Sequence, residues 1–123
     1  MKVIVSMAFL AGSLAALMLP QASAQDAPIE FRAVAAKGNP SGCVSLDASL
    51  SRLHTITLMG DKAILKSSGG INDTLKQIAP RVYKTTFSLG GVKLDVVADA
   101  SKAPKTLQVT EASRGCHWNA VAP

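Results

Sequence analysis

The sequence offers few side chains that could form a catalytic centre. Its only imidazoles are His54 and His117, and neither lies in a recognisable motif with a Ser or Cys nucleophile. A catalytic triad requires a nucleophile, a base and an orienting group that are brought together. The carboxylates that could orient a base form no close acid pair of the kind that glycoside hydrolysis requires. They are Asp47, Asp61, Asp73, Asp95, Asp99 and Glu111.

The spacing of Cys and His predicts no metal site. Structural zinc sites usually contain two pairs of closely spaced ligands, whereas this chain has one adjacent pair, Cys116 and His117. Adjacent residues of a strand point to opposite faces of a sheet, so these two cannot share a metal ion. The Gly pairs at 69–70 and 90–91 lack the spacing and the Lys of a phosphate-binding loop. We therefore predict no metal ion and no cofactor.

Cys43 and Cys116 are the only cysteines, and we predict that they form a disulfide. Both follow a segment that resembles an export signal, and disulfides persist in oxidising compartments. The alternative is a catalytic Cys that works with His54 or His117. Because nothing else around either Cys indicates a reactive thiolate, the disulfide is the preferred interpretation.

A surface contact at the last turn is a second candidate site. Arg114, His117 and Trp118 lie close together in the sequence, and Arg and Trp are frequent anchors of protein interfaces. The competing interpretation places Trp118 in the core, because it shares a strand face with Cys116.

Residues 1–24 have the pattern of a cleaved signal peptide. Lys2 precedes an apolar run over 3–19, Pro20 ends the run, and residues 22–24 read Ala-Ser-Ala. The run is only marginally long enough to span a bilayer. We therefore predict cleavage before Gln25, location in the periplasm or outside the cell, and no stable membrane insertion after cleavage.

The mature chain would be one small basic domain. Residues 25–123 number 99, with 12 Lys and Arg against 8 Asp and Glu, so the net charge is +4. This charge is compatible with an ordinary solvated surface or with an anionic partner such as an envelope polymer. Nucleic acid is a poor candidate, because few aromatic residues remain to stack on bases. Another protein is an alternative partner, and the oligomeric state is not predicted.

Residues 82–98 predict a β-hairpin around Gly90 and Gly91, and the rest of the chain must pack on it. Both glycines can adopt the positive φ that a type I′ turn requires. A two-residue loop places Tyr83, Phe87 and Leu94 on one apolar face and mainly polar residues on the other. A second hairpin is predicted around residues 60–61, with Ile56 opposite Leu65.

Elsewhere the pattern is less regular. Residues 29–33 predict a short strand, with a helix over 32–37 as the alternative, and residues 43–46 predict another short strand. Leu46, Leu50 and Leu53 have helical spacing, which leaves residues 47–53 ambiguous. Residues 71–78 predict a short helix, since Ile71, Leu75 and Ile78 recur at helical intervals. Residues 106–111 and 116–121 predict two further strands.

These elements predict a mainly β fold: a small antiparallel β-sandwich or partly open barrel with one short helix and one disulfide. The sequence contains no assembled catalytic set. We therefore expect an exported non-enzymatic binding module, and the alternative is a small exported enzyme whose site is assembled from distant loops.

Overall fold

The computed structural model describes residues 26–123, and the predicted signal peptide lies outside these residues. Residues 26–123 form nine strands, one short 3-10 helix and one α-helix. The strands are β1 Ile29–Arg32, β2 Val34–Ala35, β3 Leu53–Met59, β4 Lys62–Ser67, β5 Asn72–Ala79, β6 Val82–Leu89, β7 Val92–Asp99, β8 Lys105–Glu111 and β9 Cys116–Ala122. The 3-10 helix Ser41–Cys43 leads directly into α1, Val44–Leu50.

All nine strands belong to one antiparallel sheet, in which each strand from β3 to β9 pairs with the next one along the chain. The N-terminal residues join the two ends of this meander, because β1 pairs with β3 and β2 pairs with β9. Ala33 lies between β1 and β2, and its N–H donates to the carbonyl of Arg52. Because the ladder breaks at Ala33, the segment over residues 29–35 can pair with β3 before the break and with β9 after it. The sheet is thereby nearly closed into a barrel, which confirms the predicted fold class.

The barrel interior is filled by side chains from alternate positions of the strands, as a period of two requires. Along β9 the burial alternates without exception, so Cys116, Trp118, Ala120 and Ala122 all point inward. The largest fully buried side chains include Trp118 and Phe31. Burying a side chain of this size contributes about 1.5–3 kcal/mol each, so the core supplies most of the stabilisation.

The helix α1 covers one end of the barrel, which we call the upper end. It buries Leu46 and Leu50, and the disulfide between Cys43 and Cys116 fastens its start to β9. The β4–β5, β6–β7 and β8–β9 connections lie at the same end. The lower end carries residues 26–28, the C-terminus and the β3–β4, β5–β6 and β7–β8 connections.

Both predicted hairpins are confirmed, with their registers. Around the first, Phe87 pairs with Leu94 and Tyr83 pairs with Ala98. The turn residues Gly90 and Gly91 have φ values of 59° and 84°, so both lie in the left-handed region that glycine tolerates. Around the second, Ile56 pairs with Leu65.

The helix predicted over residues 71–78 is wrong, because this segment forms strand β5. In β5, Leu75 is buried opposite Ala63, while Ile78 lies at an irregularity of the ladder and is 59 % exposed. Polar Asp73 and Gln77 lie two residues on either side of Leu75, so the segment lacks the apolar alternation that would have identified a strand. Pairing with β4 and β6 then overrides a helical pattern of only three residues.

The predicted short strand over residues 43–46 is also wrong. Those residues enter the 3-10 helix and α1, where Leu46 and Leu50 turn to the core. The helical interpretation of Leu46 and Leu50 is therefore the correct one, although Leu53 already belongs to β3. No helix among residues 26–123 has both the length and the apolar character needed to cross a bilayer.

Candidate binding surface

The three residues proposed for a surface contact do not form one exposed group. Trp118 lies in the core, and its indole N–H donates to Asp47 Oδ1 at 2.9 Å. The core interpretation of Trp118 thus fits its position. His117 and Arg114 are exposed, and Arg114 donates to the carbonyl of Gly42 at 3.1 Å. Without the indole, no aromatic anchor remains beside them.

His54 is buried and serves to hold α1 on the sheet. Its Nε2 lies 2.9 Å from the carbonyl oxygen of Leu50, and its Nδ1 contacts the hydroxyl of Ser67. Since a carbonyl only accepts, Nε2 carries the proton and Nδ1 accepts from Ser67. Burial lowers the pKa of His54, although the hydrogen bond to Leu50 opposes this effect. Both ring nitrogens are occupied, and neither contacts a carboxylate.

Glu111, the most buried carboxylate in the core, orders the β8–β9 turn. It accepts hydrogen bonds from the Ser113 hydroxyl and from the backbone N–H groups of Ser113 and Arg114, the last at 2.9 Å. The hydrogen bond from the Ser113 hydroxyl is the main cause that lowers the pKa of Glu111. These bonds account for both carboxylate oxygens. Within residues 26–123, no group of three or more His, Cys, Asp and Glu side chains could hold a metal ion.

A row of lysines crosses the outer surface of the sheet, and we call it the lysine row. Lys62 on β4 pairs with Lys76 on β5, and Lys76 pairs with Lys84 on β6. All three side chains are exposed. Directly opposed residues of neighbouring strands have Cβ atoms about 4.5–5.5 Å apart. Three positive charges therefore stand side by side on adjacent strands.

The lysine row has no opposing charge at the outward positions of its own strands. The outward positions of β4, β5 and β6 carry a fourth lysine, Lys66, and no Asp or Glu. In the part of the chain that the structure describes, the ion pairs join Arg81 with Asp26 and Lys102 with Asp99. Acidic residues beside the row include Asp61, which precedes Lys62 in the turn, and Asp95 of β7.

Asp95 is already engaged by a neighbouring hydroxyl. Thr86 donates to its Oδ1 at 2.6 Å, across the β6–β7 ladder. The hydroxyl leaves the negative charge of Asp95 in place, but no salt bridge among residues 26–123 joins a carboxylate to the lysine row. Like charges directly opposite each other destabilise a sheet.

The lysine row was missed in the sequence because of β5. The two hairpin registers place Lys62 and Lys84 on outward faces, but the predicted helix removed Lys76 from the sheet. The lysine row could have been found by pairing residues 72–76 with β4. That pairing places Leu75 on the inner face and Lys76 on the outer face.

Comparisons with known proteins give no relative: no family model, no curated protein and no solved structure matches this chain.

Proposed function

We propose that this protein is an exported, non-enzymatic binding module, and that it holds an anionic polymer of the cell envelope through the lysine row. The observation that supports the proposal is the direct pairing of Lys62, Lys76 and Lys84 on three neighbouring strands. A polyanion laid across the strands neutralises charges that repel each other in the unbound protein.

The contacts of the histidines support binding rather than catalysis. An enzyme would be favoured by an imidazole hydrogen-bonded to an acid in a cleft. His54 instead bonds to a hydroxyl and a carbonyl. The backbone of His117 is held by Asn39, through bonds of 2.8 and 2.9 Å, while its side chain is exposed on the outside of β9.

Export rests on the sequence of residues 1–24. If this part of the proposal is correct, the intact mass of the protein recovered outside the cytoplasm corresponds to a chain that begins at Gln25. An uncleaved chain in that fraction would contradict the cleavage, and a protein found only in the cytoplasm would contradict the export.

The binding experiment compares two triple variants on immobilised dextran sulfate, with neutral dextran as the reference surface. The first replaces Lys62, Lys76 and Lys84 with Gln. The second replaces Lys37, Lys93 and Lys102 with Gln, so that the net charge is the same. All six side chains are exposed, so both variants should fold.

We expect the first triple variant to bind about tenfold more weakly than the second, a difference of about 1.4 kcal/mol. Raising the salt concentration should weaken the wild type and reduce this difference, because the contacts are exposed ion pairs. Equal affinities of the two variants would show that only the overall positive charge matters, and the proposed site would then be wrong.

A further inference from the structure

The barrel wall is open between β5 and β6 towards its upper end. β5 pairs with β4 as far as Asn72, and β6 pairs with β7 as far as Leu89. The ladder between β5 and β6 themselves ends at the pair Lys76 and Lys84. Residues 72–75 of β5 and 85–89 of β6 therefore face each other without a ladder pair, and we call this gap the seam.

The seam exposes backbone groups that point towards a missing strand. In a two-residue hairpin the closing pair, here Leu89 and Val92, exchanges hydrogen bonds, and every second pair does the same. The odd-numbered residues of β6 therefore bond to β7. The N–H and C=O groups of Thr86 and Ser88 point into the seam, and the same alternation along β5 directs those of Asn72 and Thr74 towards β6.

One of these donors is satisfied by a side chain. Asp73 Oδ1 accepts the N–H of Thr74 at 2.9 Å, and its Oδ2 lies 3.3 Å from the Thr85 hydroxyl on β6. Asp73 thus satisfies one seam donor and connects β5 with β6 through Thr85, a contact that an inserted strand would displace, while the other seam groups have no ladder partner. An exposed strand edge of this kind is a template for pairing with another chain.

The seam also contains a cleft that suits side chains. Its volume is about 370 Å³, and its apolar lining comes from Ile71, Phe87 and Leu89, which are only partly buried. These three side chains belong to the inner face of the sheet. Gly69 and Gly70 of the β4–β5 loop line the same cleft.

The lysine row begins where the seam closes. Lys76 and Lys84 form the last pair of the β5–β6 ladder and point outward. A strand in the seam would direct alternate side chains inward to Phe87 and Leu89 and outward to the surface that carries these lysines. The inward side chains should therefore be apolar, and the outward ones should be acidic.

We propose that the seam binds an extended segment of another protein, in which apolar residues alternate with acidic ones. The main chain of the segment bonds to the seam groups of β5 or β6, and its apolar side chains fill the cleft. This mode of recognition is strand addition, in which main-chain hydrogen bonds supply affinity and alternate pockets supply specificity.

The test uses a peptide of about seven residues that alternates Val and Glu and is blocked at both ends; this length covers the seam. Its matched control has the same sequence with N-methyl groups on alternate backbone amides. The control keeps every side chain and every charge, but it loses the backbone N–H donors along one edge of the peptide strand. The comparison is therefore independent of the lysine row and of the polymer proposed as its ligand.

Amide exchange measured by NMR reports the site. In the unbound protein, the amides of Thr86 and Ser88 should exchange faster than those of Thr85 and Phe87. The peptide should slow Thr86 and Ser88, and the N-methylated control should bind about tenfold more weakly, because two or more hydrogen bonds are lost. Ser88→Pro removes one seam donor without touching the β6–β7 bonds, and Ser88→Ala is its control.

Three results would overturn the inference. Equal affinity of the peptide and its N-methylated control would show that the cleft takes side chains or small apolar molecules and no strand. Equally slow exchange of Thr86 and Thr85 in the unbound protein would show that the seam is closed. Protection of amides elsewhere in the barrel would place the peptide at another site. The peptide comparison stands even if Ser88→Pro fails to fold.

Discussion

At the scale of single residues, the buried polar groups explain stability rather than catalysis. His54 and Asp47 each connect α1 to the sheet, through hydrogen bonds to groups that sequence spacing does not reveal. Asp47 and Trp118 are 71 positions apart. The alternation along β9 predicted that Trp118 is buried, but it could not predict which residue accepts the indole N–H.

His54 should make stability depend on pH in the neutral range. Burial lowers its pKa in the folded protein below the ordinary value of 6.5, so the unfolded chain binds the proton more readily. The stability is therefore fully present above about pH 6.5 and decreases as the pH falls through that value. Urea unfolding between about pH 5.5 and 7.5 measures how the free energy of unfolding changes with pH.

In the same urea measurements, His54→Gln should remove most of the pH dependence of the free energy of unfolding. His117→Gln, which changes an exposed imidazole, should retain that dependence. If the two variants have the same pH dependence as the wild type, His54 is not the group that titrates. Carboxylates such as Glu111 do not interfere, because their lowered pKa values place their effect at more acidic pH.

Asp47→Ala should destabilise the fold by about 1–3 kcal/mol, because it leaves the buried indole N–H of Trp118 without an acceptor. Asp47→Asn retains an amide oxygen at the same position and should cost clearly less. Denaturant unfolding of the two variants measures the difference. Equal losses would mean that the 2.9 Å contact contributes little and that Asp47 acts through its charge.

At the scale of elements, the hairpins were predictable and β5 was not. The hairpin over residues 82–98 combines a strict alternation with two glycines that can both adopt positive φ, so only one register buries its apolar face. In β5, the outward position of Ile78 at the irregular β5–β6 ladder imitates helical spacing. The closure of the barrel at Ala33 was equally hidden, because it depends on pairing with both ends of the sheet.

Gly91→Ala should destabilise the hairpin by about 1–2 kcal/mol, which is the cost of a side chain in the left-handed region. Gly91 has φ 84°, and nothing lies within 4 Å of the added methyl group, so the effect is conformational and not steric. Gly38→Ala is the matched control, because its surroundings are equally open and its φ is not positive. Thermal melting of both variants tests this, and a normal melting temperature for Gly91→Ala would refute the turn assignment.

At the scale of the whole molecule, the disulfide joins two parts of the fold that are far apart in sequence. It closes a loop of 73 positions, between the start of the helical cap and the last strand. In the chain-entropy account such a loop contributes about 4 kcal/mol. For a domain with about 5–15 kcal/mol of stability in all, this is a large share.

Reduction of the disulfide should therefore lower the melting temperature markedly, and Cys43→Ala with Cys116→Ala should do the same without a reductant. Thiol counting on the denatured, unreduced protein should find no free thiol. Two free thiols, or an unchanged melting temperature after reduction, would contradict the stabilising role and would reopen a reactive role for the cysteines.

The proposed role of the whole molecule requires that Lys62, Lys76 and Lys84 bind an anionic polymer as a group. Reductive methylation gives each lysine its own NMR signal and retains its charge, so a titration with dextran sulfate reports every lysine at once. If the lysine row is the binding site, the signals of these three lysines should shift first and together. The signals of Lys37, Lys93 and Lys102 should shift only at higher polymer concentration. Uniform shifts across all lysines would contradict this binding site.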